Sequence, residues 1–501
     1  MSVPIRFPRW GVAIVMLAAA VWAIDLWRPF DGRTRASWRE ADDAAIARNF
    51  YREGMNVLYP RIDWRGNGPG YAEMEFPFLP WTMAAGYHVT GVRPEVGRVV
   101  AYVATLVGLV AFLALAADVL PPIGVAAAGL FFALSPIVTR VANALQPEPI
   151  MLACLLVAVF AFVRWTETNA RWAYGLAIVS TALAILAKSP AAHIGLVFAA
   201  WLLIRRGPAA IRDPRSWAFA ILALLPGVLW YRHAHDLWLQ WGNSLGVSNE
   251  AHYIGWDVFT HPWFFVQLLF VEARYVWVWV AIPVALYGIV MERQSTAVRF
   301  GLCWLAALAV YYVVTIRTTS QDWAAYYHIA TVPAAALLFG AGIAAAARAR
   351  WRTVASVAVA LCAIATYAQE ARRIKADIHP HEFVSLYTDA TAFASLVPPG
   401  DRVLASGGPC HDGLGHPLAP NAPYMLYWLD HKGFNICRDY QPVSAVDSIA
   451  RLGATYYVAE KEALRLAPGT QEALRQRYPV AAEGAWTILF DLRHPVTLNT
   501  P

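Results

Sequence analysis

Long apolar runs recur through the first 369 residues of this chain, and they limit its fold more severely than any other feature. Eleven stretches qualify, near 9–28, 97–118, 122–140, 147–164, 172–187, 190–204, 216–232, 275–291, 299–316, 326–347 and 353–369. Each approaches the roughly 20 apolar residues that a helix needs to cross the hydrocarbon core of a bilayer. Composition agrees, with 58% apolar and 15% charged residues, against about 45–50% and about 25% in soluble chains. The net charge of +6 does not point to nucleic acid, because the basic residues fall in short clusters between apolar runs rather than on one patch. The expected fold is an α-helical polytopic membrane protein of about 11–13 transmembrane helices. Its first partner is the lipid bilayer.

Short loops with arginines set the orientation. With the N-terminus in the cytoplasm, thirteen arginines gather on that side: Arg6, Arg9, Arg164, Arg171, Arg205, Arg206, Arg212, Arg215, Arg293, Arg299, Arg348, Arg350 and Arg352. The short connections opposite hold Arg140, Lys188 and Arg317. The C-terminus is therefore expected outside. The first run is expected to be an uncleaved anchor, since Ala20-Val-Trp-Ala23 is a poor cleavage site and apolar residues continue past it. The run 76–91 is short and holds two prolines; it reads as an interfacial helix, with a twelfth span as the alternative.

Three outer segments escape the apolar pattern: 29–75, 233–274 and the tail from 370 to 501. The transmembrane domain then covers 1–369, and 370–501 reads as a separate α/β domain. In that tail, Glu382–Leu396 and Val446–Leu452 have helical spacing, while Arg402–Ser406, Ala454–Ala459 and Trp486–Phe490 read as strands. Cys154, Cys303 and Cys362 lie inside spans and read as packing residues. Cys410 and Cys437 lie in the tail, where an oxidising compartment permits a disulfide, two separate thiols being the alternative.

The candidate chemistry is acidic. Alanines favour a helix through Trp38–Phe50, which places Glu40 and Asp43 on one face with Asp42 beside them. Acids in a first helical turn complement the helix dipole, but that does not explain a second pair, Glu73 and Glu75, before Phe76-Pro-Phe-Leu-Pro-Trp81. Two groups of carboxylates suit a base-assisted transfer. Charged residues at span ends, Arg140, Lys188, Arg274 and Arg317, are candidates for binding an anion, with snorkelling to the interface as the plain alternative. Among the loop histidines His233, His235, His252 and His261, none has a strong zinc spacing. His252, near Glu250 and bridging to Glu75, is the candidate ligand for a divalent metal.

This set of residues resembles the GT-C glycosyltransferases, within them the protein O-mannosyltransferase-like group that includes the lipid A aminoarabinose transferases. That family's first loop carries Asp-Glu, then Ala-x-x-Ala and Ala-Arg; Glu40, Ala44, Ala47 and Arg48 match it here. Its Glu-Lys-Pro corresponds to Glu75-Phe76-Pro77. Gln146-Pro147-Glu148, Leu186-Ala187-Lys188, Tyr326-Tyr327-His328 before Pro333, and Tyr427 through Lys432-Gly433-Phe434 follow in the family's order. The resemblance implies a GT-C-like fold in a bacterial inner (plasma) membrane and a role in the cell envelope. It implies a hexosyl- or pentosyltransferase that takes a sugar from a polyprenyl-phosphate donor. The acceptor hydroxyl would lie on a lipid, glycan or protein at the outer face, and a carboxylate base would invert the anomeric centre.

Carried onto these positions, Glu40, Asp42 and Glu75 become the catalytic set. Lys188, Arg140, Arg274 and Arg317 become donor-phosphate ligands, and Tyr326, Tyr327 and His328 line the acceptor side. Two positions depart from the family pattern: Arg39 stands where the leading Asp is expected, and Phe76 where the Lys is. The base is then Glu40 or Asp42, which lies about one helical turn from Arg39. The expected active site is a cavity between the 29–75 loop and the span ends. A lipid or glycan flippase is the alternative from another class, predicting acids and broken helices at mid-membrane. An inactive assembly subunit is the third reading.

Overall fold

Each of the eleven apolar runs folds into helix in a computed structural model, which describes residues 10–24, 26–33, 37–247, 253–378, 382–411 and 423–496. The chain divides into two compact units, Met1–Trp27 with Arg98–Tyr231 and His252–Arg373, and Arg28–Gly97 with Arg232–Ala251 and Ile374–Pro501.

The first unit is helical and apolar. Among the described residues four helices are long and apolar enough to cross a bilayer: Glu95–Val119, Glu148–Thr168, Thr296–Val314 and the continuous Asp322–Arg348. Shorter apolar helices occupy Gly11–Trp22, Pro122–Ala133, Arg171–Ala187 and Arg352–Thr366. Large apolar side chains point outward along Pro214–Trp241, including Ile221, Leu225 and Leu229, as a lipid-facing surface requires. This is a polytopic membrane unit.

Several runs are broken where the sequence reading drew one continuous span. The 9–28 run is regular only over Gly11–Trp22, and the Trp22 carbonyl accepts instead from Asn143 Nδ2 at 2.8 Å. The 122–140 run splits into Pro122–Ala133 and Pro136–Val141, since a proline lacks the amide that would continue a helix. The 275–291 run loses its start to a corner: Trp263–Val276 and Ala281–Met291 meet at 93°. Val278 and Trp279 hold positive φ of 43° and 60° there, a conformation that is rare and strained for a β-branched or bulky side chain.

The second unit carries the sheet. Strands β1 (Arg402–Ser406), β2 (Lys432–Ile436), β3 (Ala454–Glu460), β4 (Val480–Glu483) and β5 (Thr487–Asp491) lie in the order β2-β1-β3-β5-β4. β1 pairs parallel with β2 and β3, and β5 pairs antiparallel with β3 and β4. Leu404, Tyr457, Ile488 and Phe490 form its core with Val446 and Leu474 from the flanking helices.

The Arg28–Gly97 segment belongs to this same unit. Its Ser37–Glu53 helix packs on Phe78–Thr90 and on Tyr424–Leu429. Ile46, Phe50, Ile62, Met74 and Ala84 make the core between them. Phe78–Thr90 has thirteen residues, about 20 Å of helix, too short for a roughly 30 Å hydrocarbon core. Residues 63–66 extend the sheet beyond β2: the Gly433 amide donates to the Asp63 carbonyl at 3.0 Å, and the Gly66 amide to the Gly433 carbonyl at 2.7 Å. Gly433 is required there, because a Cβ would collide with the Val403 backbone.

Candidate active site

The acids of the first loop lie on the Ser37–Glu53 helix, which alanines at 41, 44, 45 and 47 bind into the interior of the second unit. Helical spacing brings Arg39 and Asp43 onto one face. Glu40, Asp42 and Asp43 are each about 1% exposed. Arg39 donates to Glu75 Oε2 at 2.6 Å and its Nε lies 3.8 Å from Asp43 Oδ2. The fold thus joins the two acidic groups through the residue that departs from the family pattern.

Asp42 is the unusual member. Trp64 Nε1 donates to its Oδ1 over a long 3.4 Å, while Oδ2 is buried with no hydrogen-bond partner among the described residues. Burial pushes its carboxyl up to about 8, opposed by Arg39 and reinforced by Asp43. A carboxyl held near 8 is a stronger base than an ordinary one and is poised at working pH.

A turn away, the same helix enters a second charged cluster. Asp63 is fully buried and accepts from Arg48 Nη2 at 2.5 Å, from Asn49 Nδ2 at 2.9 Å and from Lys432 Nζ. Burial would raise this carboxyl, but the charges of Arg48 and Lys432 outweigh it and hold it down at about 2. Arg48 also donates to the Tyr427 carbonyl at 2.9 Å. Asp63 and Trp64 were not visible as site residues in the sequence. The available signals were Arg48 and the Lys432-Gly433-Phe434 motif, whose partner they are.

Glu73 bonds Ser244 Oγ and lies 3.5 Å from His235 Nδ1. His252 lies outside the described residues. Among those described, the one cluster of three residues with metal-ligand chemistry is Cys410, Cys437 and Asp439. Its two sulfurs are joined in a disulfide, with Cα atoms 5.4 Å apart.

In the spanning unit, Pro190 ends the Arg171–Ala187 helix and leaves Lys188 in extended backbone before a 3-10 turn. The buried Lys188 ammonium bonds Glu148 and lies over the rings of Tyr327 and Tyr326, 4.2 and 5.1 Å from their centroids. The other cations lie in different settings. Arg274 is 3.5 Å from Asp322, whose carboxylate also accepts from Tyr275 at 2.7 Å, and the charge of Arg140 acts on that tyrosine. Arg317 pairs with Asp257 at 2.5 Å. His328 has both ring nitrogens engaged, by Glu272 Oε1 at 2.6 Å and the Thr319 carbonyl at 2.7 Å. Glu272 also accepts from Thr331 and from Trp277, so His328 takes part in holding the 93° corner.

A polytopic helical unit and a second unit that carries an acidic helix and a small α/β sheet define a class, the GT-C fold. Residues 74–231 match the dolichyl-phosphate-mannose-protein mannosyltransferase family, PMT_2. The structure is similar to ArnT from Cupriavidus metallidurans bound to undecaprenyl phosphate (TM-score 0.63, 15% identity, 96% of this chain and 98% of that one). It is also similar to an oligosaccharyltransferase from Archaeoglobus fulgidus (TM-score 0.54, 12% identity, 99% and 75%). A third likeness is to the arabinofuranosyltransferase AftD from Mycobacteria (TM-score 0.58, 15% identity, 98% and 40%). No curated protein matches the sequence. The chain has the GT-C fold.

Proposed function

We propose that this protein is a membrane glycosyltransferase that moves a hexosyl or pentosyl group from a polyprenyl-phosphate donor to an acceptor hydroxyl. Asp42 is its general base. The observation that carries the reading is the buried Asp42 carboxyl, with one oxygen unpartnered and a proton affinity raised to about 8, on a fold similar to ArnT bound to undecaprenyl phosphate.

The acceptor oxygen attacks the anomeric carbon and its proton passes to Asp42. The bond from that carbon to the phosphate oxygen breaks, and the electron pair leaves with the polyprenyl phosphate. Attack opposite the leaving group inverts the centre. Arg39 bonds Glu75 and lies by Asp43 beside the base, and Glu40 is the second carboxylate of the set. Lys188 meets the donor phosphate from within its tyrosine pair, with Arg140, Arg274 and Arg317 as further cations. Tyr326 and Tyr327 offer stacking faces to a sugar. In this reading the protein lies in the inner membrane of a bacterial envelope, with its N-terminus cytoplasmic and the α/β segment 370–501 outside.

The test is lipid extraction from cells lacking the protein. A polyprenyl-phosphate sugar should accumulate, its mass should distinguish hexose from pentose, and purified protein should consume it. Unchanged lipids together with no turnover of any extracted polyprenyl-phosphate sugar would end the proposal.

A further inference from the structure

The strand β2 and the loop that reaches Asp42 share one strip of backbone. Gly433 exchanges both of its backbone groups with residues 63–66, donating to Asp63 at 3.0 Å and accepting from Gly66 at 2.7 Å. Gly66 has φ +56°, and a Cβ there would press on the Phe434 ring at 3.2 Å, so the loop fits flat against the strand only with glycine. Lys432, the residue before Gly433, bonds the buried Asp63 carboxylate and Asn49. The residue after Asp63 is Trp64, whose indole N–H is the hydrogen-bond donor to Asp42 among the described residues.

We infer that β2 is a working part of the active site: Lys432 and Gly433 fix Asp63, and Asp63 fixes Trp64 against Asp42, making Asp63 and Trp64 positioning residues for the base. The inference rests on the reading of Asp42 as that base. An ordinary salt-bridge anchor would need no particular neighbour at 64. Here the segment is bonded to the strand edge at Asp63 and Gly66 and delivers a donor to an otherwise uncapped buried carboxyl.

The groups facing Asp42 are Arg39 and Asp43 from its own helix and Asp63 and Trp64 from the loop. They act on it in different directions. A hydrogen bond to the ionised form lowers a carboxyl's proton affinity, and a neighbouring anion raises it. Losing the Trp64 N–H therefore shifts Asp42 upward, and losing the Asp63 charge shifts it downward. If Asp63 holds Trp64 in place, its loss also removes the Trp64 N–H, and that part of the effect runs upward against the lost charge.

The experiment is an infrared pH titration of the full chain in lipid nanodiscs, with the Asp42→Asn spectrum subtracted to isolate the Asp42 carboxyl. Trp64→Phe should move its midpoint up, and Asp63→Asn should move it further down in the Trp64→Phe background than in the wild type, where release of the Trp64 N–H offsets the lost charge. With the lipid-linked sugar isolated from cells lacking the protein as donor, Trp64→Phe should lower kcat at neutral pH while KM stays within about twofold. A Trp64→Phe midpoint that does not rise, or an Asp63→Asn shift of the same size in both backgrounds, would overturn the inference. If Asp63→Asn fails to fold, Trp64→Phe still decides the case, because phenylalanine keeps an aromatic ring at the site and lacks the indole N–H, and an unmoved midpoint overturns the inference. Full turnover in Asp42→Asn would sink the base assignment instead, and the infrared shifts would still judge the positioning.

Discussion

Arg39 lies between two carboxylates from different parts of the chain, 2.6 Å from Glu75 and 3.8 Å from Asp43. A buried guanidinium held this way orients both acids and lowers the proton affinity of Asp42 beside them. Replacing it by methionine removes the charge and leaves a stem of similar reach. The Asp42 midpoint should then rise above about 8, so turnover should fall more at pH 7 than at pH 9. A ratio of rates at those two pH values equal to that of the wild type would contradict the assignment.

Asp42 itself has a stability signature. Its carboxyl is raised from about 3.8 in the unfolded chain to about 8 in the folded one. Between those values the folded state holds a proton that the unfolded state has lost, so stability falls as pH rises through this window. Asp42→Asn abolishes that dependence. The variant should melt at least about 2 °C above wild type at pH 8 and should match it near pH 4. Turnover should drop by about 10²–10⁴-fold. A variant that is inactive but less stable at pH 8 would show that the buried carboxyl is not held against its own ionisation.

The reach of sequence reading differed between the two units. Spans were legible because length and apolarity are local properties, and every run became helix. Their corners were not, since the 93° bend depends on Glu272, Thr331, Trp277 and His328 meeting across some sixty residues. In the α/β segment, β1, β3 and β5 were read from their apolar pattern. β2 and β4 were missed: Lys-Gly-Phe-Asn-Ile has a glycine and two polar residues, and Val-Ala-Ala-Glu is an exposed edge. The acids on the Ser37–Glu53 helix were legible as a set. That Asp42 would be the uncapped one was not, because its burial depends on a loop fixed by a strand nearly 370 residues further on.

The disulfide of Cys410 and Cys437 closes the ends of β1 and β2, where the Gly407 amide already meets the Ile436 carbonyl at 2.7 Å. With a sequence separation of 27, the loop-entropy estimate is about 3.5 kcal/mol. Replacing both cysteines by serine should lower the melting temperature of the α/β segment and speed amide exchange on β2, which carries Lys432 and Gly433. Reductant should do the same to wild type and nothing to the variant. Equal exchange on β2 with and without the bridge would show that it closes a strand pair already stable without it.

Lys188 and Glu148 make the sharpest test of how the spanning unit contributes. Both are buried, and removing one partner of such a pair leaves an uncompensated charge at a cost of about 3–5 kcal/mol. Lys188→Met alone should therefore destabilise the protein and abolish turnover together, which cannot separate packing from chemistry. The double variant Glu148→Gln with Lys188→Met can, because it removes both charges and restores electrical balance. If Lys188 contacts the departing phosphate, the double variant should regain thermal stability and still lose about 10²-fold or more in turnover, as expected when a group that stabilises developing charge is deleted. Weaker donor binding should accompany it, read by competition with undecaprenyl phosphate. Recovery of turnover along with stability would reduce Lys188 to a counter-ion for Glu148 and shift the search for the phosphate ligand to Arg140, Arg274 and Arg317.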